Sequence, residues 1–215
     1  MTFTKDAVTI TGGCNCRAFR YKVEVPPYDQ RAEIPYYEAG YSPRDVRLPI
    51  TFLDHCNDCR RASGALLPMG MITELATVSL SCLLRTSAEA LEPPYEPAAH
   101  VLDNPDVLER TYIAEYQNKP GRYRWFCSRC GTHLGYMLDA ALAAKVWPDS
   151  PRMMDIWLGT VDREHLEQEW IKPERIFWCD YKIQWISDLA RDGAGGLPEH
   201  PEWKINEVDE VRKSF

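Results

Sequence analysis

Cys127-Ser128-Arg129-Cys130-Gly131 restricts what this chain can fold into more than any other stretch. Two cysteines separated by two residues and followed by glycine make a turn tight enough for both thiolates to face one metal ion. Such a knuckle supplies two ligands, whereas a closed zinc site is tetrahedral with four, so a second pair must come from a distant part of the chain. Two pairs are on offer, Cys14-Asn15-Cys16 and Cys56-Asn57-Asp58-Cys59. Any fold must therefore bring turns from far apart in sequence side by side. Six thiols also exceed the needs of one zinc, and the surplus marks either a second metal or a reactive thiol site.

At 215 residues and 45% hydrophobic content the chain can bury a substantial core. Sixteen prolines, eleven tyrosines and seven tryptophans among short apolar runs point to a mainly β, loop-rich fold rather than a helical bundle. The net charge of -7 and pI near 5.3 argue against a general affinity for polyanions, so no nucleic acid partner is expected. Only the local pair Arg60-Arg61 is suited to a small anion. No apolar run is long enough to span a bilayer, and the opening residues lack the pattern of a signal sequence. The expectation is a cytoplasmic protein with no membrane partner, in which the eight cysteines are metal ligands and buried thiols before they are disulfides.

The chain reads as one domain over 1–215, with a core at about 8–185 and a peripheral tail at about 191–215. Residues 7–12 predict a short strand that delivers Cys14 and Cys16. Phe19, Tyr21, Val23 and Val25 then alternate with charged residues at the period of a half-buried strand. Residues 26–49 and 86–109 are rich in proline and predict two insertions, the second with at most one helical turn. Further strands are predicted at 50–53, 66–72, 78–84, 132–137, 155–161 and 174–180. A hairpin is predicted from 111–116 and 122–126, closed at Pro120-Gly121. The alanine-rich segment 138–146 is the best short helix, and 164–170 predicts a helical turn.

Each cysteine pair follows a predicted strand. Joining Cys14, Cys16, Cys127 and Cys130 would clip the N-terminal strand to the hairpin. Joining Cys56, Cys59, Cys127 and Cys130 would leave Cys14 and Cys16 idle, and spacing alone allows both. In the first arrangement Cys56 and Cys59 need a further donor, which Asp54 or His55 can supply, and three protein ligands with one open position is the usual form of catalytic zinc. Arg60 is the candidate contact for a substrate carboxylate. Cys82 and Cys179 read as buried thiols, His133 as a strand residue, and Trp157, Trp178 and Trp185 as core or pocket lining.

Three motifs in order carry a resemblance. Gly12-Gly13-Cys14-Asn15-Cys16, His55-Cys56-Asn57-Asp58-Cys59-Arg60 with Ser63-Gly64, and Phe126-Cys127-Ser128-Arg129-Cys130-Gly131 resemble the glutathione-dependent formaldehyde-activating (Gfa-like) or centromere protein V family. Gly159-Thr160-Val161-Asp162, Pro173-Glu174-Arg175-Ile176-Phe177 and Trp185 are similar to that family's C-terminal segments. The resemblance implies a mainly β domain of the β-tent kind. It makes Cys14, Cys16, Cys127 and Cys130 the structural zinc ligands and Cys56 and Cys59 part of a second zinc site. The family's first cysteine of that second set is Asp54 here, a harder oxygen donor.

The resemblance further implies a carbon-sulfur lyase acting on adducts of a small-molecule thiol, such as glutathione, with an aldehyde such as formaldehyde. Cys56, Cys59 and Asp54 would carry the chemistry. The competing expectation is a non-catalytic, zinc-stabilised interaction module whose second site has lapsed.

Overall fold

The structure is a computed structural model and describes residues 3–33, 47–86, 93–148 and 150–192. Strand β1 (Val8–Gly13) pairs antiparallel with β2 (Phe19–Val25), which buries the alternate residues Phe19, Tyr21, Val23 and Val25 as their spacing predicts. Strand β2 in turn pairs with a strand at Val78–Cys82. Among the described residues a second, larger sheet begins with β3 (Ile50–Asp54) and β4 (Met69–Glu74). The Val78–Cys82 strand is β5 and the short Glu96–Pro97 strand is β6; these complete the first sheet in the order β1-β2-β5-β6. The larger sheet adds β7 (Ile113–Lys119), β8 (Arg122–Cys127), β9 (His133–Leu138), β10 (Met153–Trp157) and β11 (Arg175–Phe177). Its order is β11-β3-β4-β10-β9-β8-β7, antiparallel except where β11 runs parallel to β3. The protein is mainly β.

The larger sheet buries both faces. Met71, Met154, Ile156, Trp125 and Leu134 join Ile10, Phe19 and Tyr21 of the smaller sheet in the main core. On the opposite face Ile50, Phe52, Ile72, Met153 and Trp157 form a second cluster, capped by Cys59 from helix α1 (Asn57–Ser63). Successive strand residues point to opposite faces, so Asp155 shares the face of Met153 and Trp157. Register extends a row across that face, from Ile50 to Ile72 to Asp155 to Tyr136 to Arg124.

Several boundaries differ from the sequence reading. The segment 86–109 holds more than one helical turn: helices α2 (Ala98–Leu102) and α3 (Pro105–Arg110) lie at its end, and Ala98, Val101 and Leu102 enter the main core. Asn104 caps α3 by accepting from the amides of Asp106 and Val107, and Pro105 sits in the first turn, where a missing amide hydrogen costs nothing. Prolines that read as breakers are here helix starters; 87–92 lie outside the described residues. Within 26–49, Arg31 is buried and donates to the carbonyls of Pro26 (2.7 Å) and Asp6 (2.8 Å), while 34–46 lie outside the described residues.

The predicted strand at 66–72 begins only at Met69, and that at 155–161 gives way after Trp157 to a 3-10 turn. Helix α4 (Ala140–Val146) is capped by Asp139, and α5 (Arg163–Leu166) supplies the expected helical turn. A further helix, α6 (Gln184–Asp192), precedes the tail, of which 193–215 lie outside the described residues. Cys179 is exposed rather than buried, as are Trp178 and Trp185. The β7-β8 hairpin forms as predicted, with Gly121 at φ 73°.

Candidate metal centres

Strand β1 ends at Gly13 and hands the chain to Cys14. The Cys14 carbonyl accepts from the Arg17 amide (3.0 Å), closing a turn in which Arg17 takes a positive φ of 61°. Across from it, β8 ends at Cys127, whose carbonyl accepts from the Gly131 amide (2.8 Å) with Gly131 at φ 76°. Thr132 Oγ1 accepts from the Asn15 amide (3.2 Å), tying the two turns together. The sulfurs of Cys14 and Cys16 lie 3.6 Å apart, those of Cys16 and Cys127 3.7 Å, and all four with Cys130 fall within 4.8 Å of one another. Four sulfurs at about 2.3 Å from a tetrahedral zinc are about 3.8 Å apart, so the set matches a closed thiolate site. All are free thiols. The alternative set, in which Cys56 and Cys59 share an ion with the knuckle, does not form.

Burial raises the Cys14 and Cys127 thiols, since thiolates lose hydration there. Burial works against Cys130 too, but hydrogen bonds from Thr132 and the Cys16 amide bring it down to about 6. Four thiols so close together lose their protons together only with a cation among them.

The second group sits where β3 runs into α1. Asp54, Cys56 and Cys59 offer one ligand atom each, all within 4.8 Å of one another. Asp54 Oδ1 accepts from the Cys56 amide (2.8 Å), which orients the carboxylate. The Asp54 amide donates to Pro68 O (2.9 Å), and the His55 amide donates to Phe177 O (3.1 Å), anchoring the junction to two neighbouring segments. Hydrogen bonding from Cys59 brings the Cys56 thiol down to about 6, with help from the Asp58 and Cys59 amides, while the same bond and burial push Cys59 up. Burial also raises the Asp54 carboxyl. The donors number three, one fewer than the closed site, and the ligand group takes Asp54 rather than His55.

Two residues beside this group carried no sequence signal. Arg124 is buried, reaches Cys59 Sγ with Nη2 (3.8 Å) and Asn118 Oδ1 with Nη1 (2.6 Å), and lies over the Tyr136 ring (5.2 Å). Its positive charge stands against the two thiols and one carboxyl of the group. Asp155, two strands away, has protein on every side yet keeps some accessible surface; burial, repulsion from Asp54 and attraction to Arg124 together leave its carboxyl at about 8. The sequence candidate Arg60 reaches Asn57 Oδ1 with Nη2 (3.5 Å), and Arg61 lies next to it on the same short helix. His133 lies against Phe126 (5.9 Å), its pKa lowered by burial and by Arg124.

Between the two cysteine groups lies a groove of about 660 Å³. It runs from Ser63 and Pro68 beside the second group to Gly131 and Thr132 of the knuckle, with Trp157 in its wall. No helix among the described residues is long and apolar enough to cross a membrane.

The fold and the two groups define a mainly β protein with two sets of residues able to hold metal ions. Neither a protein-family model nor a curated protein matches the chain. A solved structure of a Rhodobacter sphaeroides protein, a structural genomics target, is similar at 14% identity and a TM-score of 0.34. That match covers 74% of this chain and 95% of the other.

Proposed function

We propose that this chain is a two-zinc protein that catalyses addition of a thiol to an aldehyde, or its reversal. This is the activity implied by the resemblance of its three motifs to the Gfa-like family. One observation carries the reading: the Asp54, Cys56 and Cys59 group offers three donors where the other group offers four, leaving a tetrahedral position for a reactant. Zinc held there would favour the thiolate form of a thiol at neutral pH and polarise a carbonyl oxygen.

The reaction is balanced without any redox partner. Sulfur bonds to the carbonyl carbon, the carbonyl π bond opens to a hydroxyl, and that oxygen takes the proton the thiol lost. Asp54 orients itself through the Cys56 amide, and Arg124 offsets the negative charge at Cys59.

Metal analysis after dialysis against a weak chelator, paired with an adduct assay using a small thiol, tests this reading. Two zincs per chain and turnover that Cys56→Ser abolishes are expected. One zinc and no turnover would sink it and leave a zinc-stabilised interaction module.

A further inference from the structure

The groove between the cysteine groups has a chemistry that neither formaldehyde nor glutathione needs. Its walls include Leu67, Met69, Trp157, Leu158, Leu166 and Ile171. Among the described residues no aspartate, glutamate or arginine lines it. The one lysine among its described lining residues, Lys172, is held by both carboxylate oxygens of Glu169 at 2.7 Å. Glutathione carries two carboxylates and an ammonium group, and this lining offers no free cation to receive them. Formaldehyde has one carbon and fills almost none of about 660 Å³, a volume within the range of sites for much larger organic ligands.

The groove is also joined to the open centre. Pro68 in its wall accepts the Asp54 amide (2.9 Å). Ser63 in its wall donates to the Cys59 carbonyl (2.8 Å), one helical turn from the thiol. Trp157 packs in the same apolar cluster as Cys59. One end of the groove is thus walled by residues that brace the second group, although Asp54, Cys56 and Cys59 are not themselves among its lining. That places apolar surface, rather than charge, where the body of a reactant would rest.

We propose that the groove binds the hydrocarbon chain of the carbonyl reactant, so that the substrate is an aliphatic aldehyde of medium chain length rather than formaldehyde. The identity of the reactant rests on the function proposed above, whereas the apolar selectivity of the groove does not. Thiol addition to such an aldehyde balances as before, with the chain itself untouched.

The test uses the zinc-loaded protein and unreactive alcohols, namely 1-butanol, 1-hexanol and 1-octanol, titrated by calorimetry. Each buried methylene should tighten binding by about fourfold. Gly159→Trp adds bulk where an added Cβ meets open space, and Leu166→Glu puts a charge in a wall residue that is already part-exposed. Both should flatten the series to less than twofold per methylene, while zinc content and circular dichroism stay at wild-type values. A wild-type series without chain-length dependence, or variants with unchanged zinc content that keep it, would overturn the groove. A second arm compares formaldehyde, butanal and octanal with 2-mercaptoethanol as thiol. The ratio kcat/KM should rise with chain length, and a preference for formaldehyde would overturn the substrate assignment. Alcohols that bind with the methylene increment, together with no turnover of any aldehyde, would leave the groove standing and overturn the carbonyl assignment along with the proposed function.

Discussion

Replacing Asp155 by asparagine should stabilise this protein, and by more as pH rises. The Asp155 carboxyl moves from an ordinary value of 3.8 to about 8 in the fold, because burial penalises its charge and Asp54 repels it more than Arg124 attracts it. The folded state therefore holds a proton that the unfolded state releases. Stability from this group is fully present below pH 3.8 and is lost progressively as pH rises through about 8. At 1.36 kcal/mol per unit, the upper limits of the loss are about 2 kcal/mol at pH 5.5 and about 5 kcal/mol at pH 8. Contact with solvent at the remaining accessible surface reduces these by about half, so the gap between Asp155→Asn and wild type should widen by about 1.5 kcal/mol between the two pH values. Asparagine has no such titration, and other groups cancel in the difference. Urea denaturation followed by circular dichroism at pH 5.5, 7 and 8, with zinc limited to one equivalent per chain so that the four-thiol group is filled and Asp54 keeps its charge, measures the gap. A gap that stays constant with pH, or that narrows, would refute the reasoning and show that Asp155 is ionised like a surface carboxylate.

Three further outcomes are expected. Cys14→Ser or Cys127→Ser should abolish zinc retention at the four-thiol group and with it soluble folded protein, because that group clips β1 to β8; full zinc content in a folded variant, read by metal analysis, would contradict this. Arg124→Gln should weaken metal retention at the second group by about 10- to 100-fold in chelator competition, with Arg124→Lys restoring part of it, because the charge beside Cys59 is what is lost. Asp54→Cys should raise occupancy of that group, since thiolate is the softer donor, and an unchanged metal count in a half-filled site would take Asp54 out of the ligand set.

What the sequence determined by itself was local chemistry. Three cysteine pairs at ligand spacing, a glycine in the left-handed turn after Cys130, alternation along β2 and the Pro120-Gly121 hairpin are all fixed by covalent geometry and side-chain period, and the fold repeats each of them. Residue spacing alone left open which pairs lie close enough to share an ion; the meeting of β1's end with β8's end brings Cys14, Cys16, Cys127 and Cys130 together. The helices at 98–110 were hidden because prolines at their starts look like breakers until the caps are seen. Arg124 and Asp155 were hidden for a different reason. In a strand, a polar residue between apolar neighbours reads as solvent-facing, and that reading fails when both faces of the sheet are covered. Only the register that lines up Asp155, Tyr136 and Arg124, and the helix that lowers Cys59 onto that row, turns two ordinary strand residues into neighbours of the second centre. Charge placed beneath a covering element is a property of tertiary packing, because burial of the second face depends on chain segments far away in sequence.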